Sequence, residues 1–119
     1  MKCIQTSIIF IFFLSLPISI SAQKIQSSSW SVNQSLAGYS LDKNNGERTM
    51  TLEVKFETPF TKKPQIVLSV TQIDSDQKTN QRYNVEAVSV SRDGFTIKVN
   101  TWADSKIFSI SGYWITITQ

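Results

Sequence analysis

Phe95-Thr96-Ile97-Lys98-Val99-Asn100-Thr101-Trp102 decides the fold class. Apolar and polar side chains alternate through it with period two, the spacing that sends successive residues to opposite faces of a strand. Phe95, Ile97 and Val99 share one face, and Thr96, Lys98 and Asn100 the other. Immediately before it, Arg92-Asp93-Gly94 has the composition of a tight hairpin turn. Outward from that turn the same rhythm recurs. Met50, Leu52, Val54 and Phe56 alternate with Thr51, Glu53 and Lys55. Ile66, Leu68 and Val70 alternate with Val67, Ser69 and Thr71. Tyr83, Val85 and Ala87 lead into Val88 and Val90, and Phe108, Ile110, Gly112 and Trp114 read as one face near the end.

Five strands are predicted, over 48–56, 65–73, 82–91, 95–102 and 108–118, with a sixth near 26–33. The segment at 65–73 is apolar on both faces at its start, which predicts a central strand. Ser27-Ser28-Ser29 and Lys43-Asn44-Asn45-Gly46 are turn-rich and read as loops. No window beyond residue 22 carries a helical stripe. Short strands separated by turns predict an all-β fold, a two-sheet antiparallel β-sandwich in a single domain.

The N-terminal residues follow a different pattern. Lys2 gives a basic start, Ile8 to Leu16 is almost unbroken apolar sequence, and Ser19-Ile20-Ser21-Ala22 supplies small residues after Pro17. That is the secretory pattern, so residues 1–22 are expected to be a signal peptide, residues 23–119 the domain, and the protein secreted. The apolar run is shorter than the roughly 20 residues of a spanning helix, so no membrane span is expected.

Composition narrows the chemistry. Twelve Lys and Arg against nine Asp and Glu give a net charge of +3, with the basic residues spread along the chain. Nucleic-acid binding would call for a concentrated basic face, and none is evident. There is no histidine, and the single cysteine, Cys3, lies in the expected leader. Nucleophile–histidine pairs and Cys/His zinc sites are therefore excluded, and no disulfide can staple the domain. Asp74-Ser75-Asp76 is the nearest carboxylate pair, but it lacks the spacing of a calcium loop and reads as a solvated turn. No metal, cofactor or catalytic activity is expected.

Three tryptophans remain, at 30, 102 and 114. Trp114 shares a strand face with apolar neighbours and fits a core. Trp102 ends a strand on the face of Lys98 and Asn100, and Ala103-Asp104-Ser105-Lys106 follows, so partial exposure is expected. An exposed indole offers a flat face and an N–H donor, both useful against a sugar. Arg82 is the second candidate, because a guanidinium is a rigid fork of donors that adjacent hydroxyls can accept from. Asn33-Gln34-Ser35 fits the N-glycosylation pattern.

These stretches resemble the H-type lectin domain, the family of invertebrate agglutinins and of the C-terminal part of discoidins. The likeness runs from Phe56-Glu57-Thr58-Pro59-Phe60 through Pro64–Asp74, Asn80-Gln81-Arg82, Val88–Ser91 with Gly94-Phe95, and Thr101–Lys106, to Trp114-Ile115. It implies a six-stranded antiparallel β-sandwich that assembles as a homo-trimer or homo-hexamer. It also implies binding of N-acetylgalactosamine (GalNAc) or galactose at shallow sites between subunits. Arg82 would donate to sugar hydroxyls, Trp102 would line the acetamido side, and Phe108 would pack on the sugar. Asn45, with Asp42 nearby, would supply the acceptor loop. Three departures stand out: Asn45 replaces an Asp, Phe108 usually a Tyr, and Ala103 a His found in some members. A β-sandwich adhesion module without sugar binding is the alternative these departures raise.

Overall fold

A computed structural model of the chain describes residues 24–118 together with residues 11, 15 and 17; the rest of the expected signal peptide, Cys3 included, lies outside the described residues. Seven strands follow in order: β1 Ser27–Asn33, β2 Arg48–Lys55, β3 Gln65–Leu68, β4 Gln72–Ser75, β5 Tyr83–Val88, β6 Gly94–Thr101 and β7 Ile107–Ile117. One sheet has β7 at its centre, with β1 along one side and β3 and β4 along the other. The other sheet runs β2-β6-β5. Every pairing is antiparallel.

The alternation read from the sequence sets which face is buried. Phe95, Ile97 and Val99 of β6 are buried, and Met50, Leu52 and Val54 of β2 face them across the ladder. From the other sheet come Trp30 and Val32 of β1 with Ile110 and Trp114 of β7. One end of the core is aromatic. The Phe56 and Phe60 rings meet edge to face at 4.9 Å, and Phe95 and Trp114 at 5.5 Å. Such pairs add about 0.5–1.5 kcal/mol to the area they bury. β6 starts at this cluster and ends roughly 24 Å away at Thr101, given the rise of an antiparallel strand.

Four expectations need correction. The strand predicted over 65–73 lies on the edge of its sheet and is broken into β3 and β4. Leu68 pairs with Trp114, yet Gln72 pairs with Ser111, so this side carries one extra residue. The cause is Gly112, whose missing side chain leaves room for the Ser69 carbonyl; a Cβ there would lie 1.7 Å from that oxygen. Ser27-Ser28-Ser29 is strand, not loop, because β7 supplies its partners Ile115, Trp114 and Tyr113. Asp74 and Ser75 are likewise strand. Phe108 does not continue the face of Ile110: the register shifts from Asp74–Ser109 to Ser75–Ile107, so Ile107 is buried and Phe108 only half-buried.

Tyr39 links the β1–β2 connection to the core. It is buried, and its hydroxyl donates to the Ile107 carbonyl at 2.6 Å. Burial, and secondarily the charge of Asp42, push its phenol well above the ordinary tyrosine range. The folded state therefore keeps this proton after the unfolded chain has lost it. That contribution to stability is complete below about pH 10 and shrinks as pH rises beyond it. Denaturant midpoints of wild type should fall between pH 8 and pH 10.5. Tyr39→Phe should start about 1–3 kcal/mol lower, with the Ile107 carbonyl orphaned, and should fall less over that range.

Candidate carbohydrate-binding site

At the end of the sandwich remote from the aromatic cluster, β5 and β6 finish their ladder with Tyr83 opposite Thr101. Arg82 and Trp102 are the next residue on each strand, so the ladder brings them side by side. The Thr101 hydroxyl donates to the Arg82 carbonyl at 2.5 Å and closes this corner. Trp102 is 41% exposed, whereas Trp30 and Trp114 are buried at 3% and 6%.

Beyond Trp102 the chain turns sharply, with Ala103 at φ 56° and the Ser105 N–H on the Trp102 carbonyl. The turn returns Asp104 toward Arg82, and one guanidinium N–H donates to its carboxylate at 2.6 Å. The pair is partly exposed, 33% for Arg82 and 53% for Asp104. At that exposure it is worth only about 0–1 kcal/mol to stability. Its consequence is geometric: the carboxylate orients a five-donor fork of which it uses one N–H. Ser105 is buried beneath; its hydroxyl accepts from the Arg82 N–H at 3.0 Å and donates to the Asn80 carbonyl.

The loop of Asn45 lies against the same turn. The Gly46 N–H donates to the Ala103 carbonyl at 3.0 Å, and the Ile107 N–H to the Leu41 carbonyl at 3.0 Å. Lys106 Nζ donates to Asn45 Oδ1 at 3.2 Å and to the Asn44 carbonyl. Arg82, Trp102, Ala103 and Asn45 thus meet at one end of one chain. Asp42 turns elsewhere: one carboxylate oxygen accepts from Gln34 at 2.7 Å, and the other is buried without a partner among the described residues. Phe108 sits at the start of β7 in the other sheet. Asn33 ends β1, where its side chain accepts from the Ser35 N–H at 2.9 Å.

Sequence reasoning missed three residues here. Asp104 and Ser105 stand in a stretch already singled out, but their partners depend on the turn at Ala103. Arg48 is the third. It is buried at 7% exposure and donates to carbonyls of both loops. Its signal was present, since it shares parity with Met50, Leu52 and Val54 on the inward face of β2.

A recess of about 670 Å³ opens elsewhere, between the free edges of β1 and β2, lined in part by Trp30, Leu52, Val54 and Trp114. It holds neither Arg82 nor Trp102. The loop end offers instead an exposed aromatic face and an oriented fork, with the Asn45 amide nearby. Among the described residues no group of three or more His, Cys, Asp or Glu could hold a metal ion. Nor is any helix among them long and apolar enough to cross a membrane.

The sequence signature of the H-type lectin domain matches residues 51–117, more than half of the chain. The chain belongs to the H-type lectin family. That family is one of carbohydrate-binding lectin domains. A discoidin-1 polypeptide of Dictyostelium discoideum is 29% identical over 106 residues, which cover 86% of this chain and 42% of that protein. The ATP synthase subunits region ORF 7 protein of Fuscovulum blasticum is 36% identical over 73 residues, covering 61% of this chain and 64% of its own. Discoidin II of Dictyostelium discoideum superposes with a TM-score of 0.72 at 19% identity, over 82% of this chain and 37% of that one. This H-type lectin chain therefore spans less than half the length of the discoidins it matches. At that identity the superposition establishes the sandwich fold.

Proposed function

We propose that the chain is a secreted lectin that binds galactose-type glycans, GalNAc among them, at the Arg82–Trp102 end and without catalysis. The observation that carries this reading is the junction itself: an exposed indole at one strand end and, at the neighbouring strand end, a guanidinium oriented by Asp104. Vicinal hydroxyls suit the fork, and the C–H face of a galactose ring suits the indole. The leader pattern of residues 1–22 supports secretion.

Self-association belongs to the same proposal. The outer face of the β1-β7-β3 sheet presents Ser27, Ser29 and Ser31 beside Tyr113, Ile115 and Ile117, with Val67 beyond. These strand positions carry no charge, and the four large side chains are 39–59% exposed. The outer face of the other sheet carries Glu53, Lys55, Glu86 and Lys98 instead. This apolar-centred face, whose charged strand residue is Asp74 at the β4 end, supports a protein–protein contact, here with further copies of the chain in a trimer or hexamer. Sites this shallow bind weakly one at a time, and several on one particle raise avidity by roughly 10²–10⁴-fold. Cell adhesion or glycan recognition would be the use of such a particle.

A glycan array run beside light scattering of residues 23–119 tests the reading. Signal on terminal galactose or GalNAc, competed by the free sugar, from a particle of three or more chains is the expected result. A blank array would favour the adhesion module without sugar binding, and a strict monomer would contradict the multivalent assembly.

A further inference from the structure

We propose that Arg48 is a positioning residue of the glycan site: buried beneath it, Arg48 sets the spacing of the two loops that carry the ligand-facing groups. This rests on the lectin reading above and adds to it a residue that meets no ligand.

The hydrogen-bond partners of Arg48 carry the inference. Nε donates to the Gly46 carbonyl at 3.0 Å. One terminal nitrogen donates to Leu41, Lys43 and Ser105, at 3.3, 3.1 and 2.7 Å, and the other to Ala103 at 3.0 Å. All five acceptors are backbone carbonyls. Three belong to the loop of Asn45 and two to the turn after Trp102. Its hydrogen-bonding partners include no carboxylate, so carbonyl dipoles offset the buried charge. Leaving such a charge without those carbonyls is costly, so the loops are held where the carbonyls converge.

What the fork holds is otherwise ill-determined. Both loops contain residues in the left-handed region, Asn44 at φ 59° and Ala103 at φ 56°, a conformation that non-glycine residues adopt at a cost. Neither loop is part of a sheet ladder. Arg48 bonds the carbonyls on both sides of Asp104, namely Ala103 and Ser105. Asp104 in turn orients Arg82, and Ser105 pins the Arg82 backbone. The guanidinium thus acts on the ligand-facing fork through one intervening turn. On the other side it fixes Gly46, next to Asn45. A lysine cannot substitute, because one ammonium has three donors and no planar fork to span five carbonyls.

The test compares wild type, Arg48→Lys and Gly46→Ala for GalNAc affinity by titration, with the Trp102 indole N–H followed by NMR. Affinities are measured well below each variant's unfolding temperature. Folded Arg48→Lys is expected to bind about tenfold or more weakly, with the Trp102 indole and the Gly46 and Ser105 amides displaced while the Trp30 and Trp114 indoles stay. A folded Arg48→Lys with wild-type affinity and an unmoved Trp102 signal overturns the positioning role alone. If Arg48→Lys fails to fold, Gly46→Ala decides. An added Cβ there meets nothing within 4 Å, but φ is +85°, so only the loop is strained. Binding weakened about threefold or more supports the role, and wild-type binding overturns it. Wild type that binds no galactose-type sugar overturns the lectin reading and the positioning role together.

Discussion

Gly112→Ala should lower stability by about 3 kcal/mol or more, enough to lower the melting temperature by roughly 12–24 °C in a domain of this size. The added Cβ would lie 1.7 Å from the Ser69 carbonyl oxygen and 2.6 Å from its carbon. Neither is the tip of a flexible side chain, so the backbone itself must move. That backbone is anchored by the Ser69 N–H on the Tyr113 carbonyl and the Thr71 N–H on the Ser111 carbonyl, both at 2.9 Å. The strand cannot retreat without losing these bonds and the seat of Leu68 and Val70 against the core. Gly46 provides the contrast: its backbone is strained for alanine but the space is open, so Gly46→Ala should cost only about 1 kcal/mol. Urea or thermal melts of the two variants, followed by circular dichroism, check the difference. Equal midpoints would mean that the extra residue opposite Gly112 is not held as described.

Arg82→Ala should produce the largest functional effect, with stability almost untouched. A hydrogen bond from a charged donor contributes about 1.5–3 kcal/mol, so losing the fork should weaken sugar binding by roughly 10–150-fold. The Arg82–Asp104 pair is too exposed for its loss to cost more than about 1 kcal/mol of folding free energy. Arg82→Lys should fall between, since it keeps a charge and loses the planar fork. Titration with GalNAc and a melting curve on the same sample separate affinity from stability. A variant that binds as well as wild type would remove Arg82 from the site.

The fold was legible because period-two alternation needs no tertiary information. Phe95, Ile97 and Val99 could be assigned to the core from spacing alone, and so could Met50, Leu52 and Val54. The break in the strand of 65–75 was not legible, because its cause sits more than forty residues away at Gly112 on the partner strand. Val67 misled for a related reason. Its apolar side chain faces outward beside Ile115, so the two-faced pattern marked a bare sheet face and not a central strand.

The grouping of the candidate residues was legible in outline. Arg82 and Trp102 stood out by residue type, strand-end position and family likeness, and the Tyr83–Thr101 pairing sets them side by side. Asp104 escaped notice because its role depends on the left-handed turn at Ala103, which composition does not announce. Arg48 escaped although its parity put it in the core, since an arginine at a strand start is ordinarily a surface residue.

The most direct test is a nitrogen-15 NMR titration of residues 23–119 with GalNAc, reading the three indole N–H signals. The Trp102 signal should move and saturate, with the Arg82 side-chain N–H moving alongside, while Trp30 and Trp114 stay in place. Saturable shifts at Trp30 and Trp114 with Trp102 unmoved would contradict a site at the loop end, placing the sugar in the recess between β1 and β2 instead.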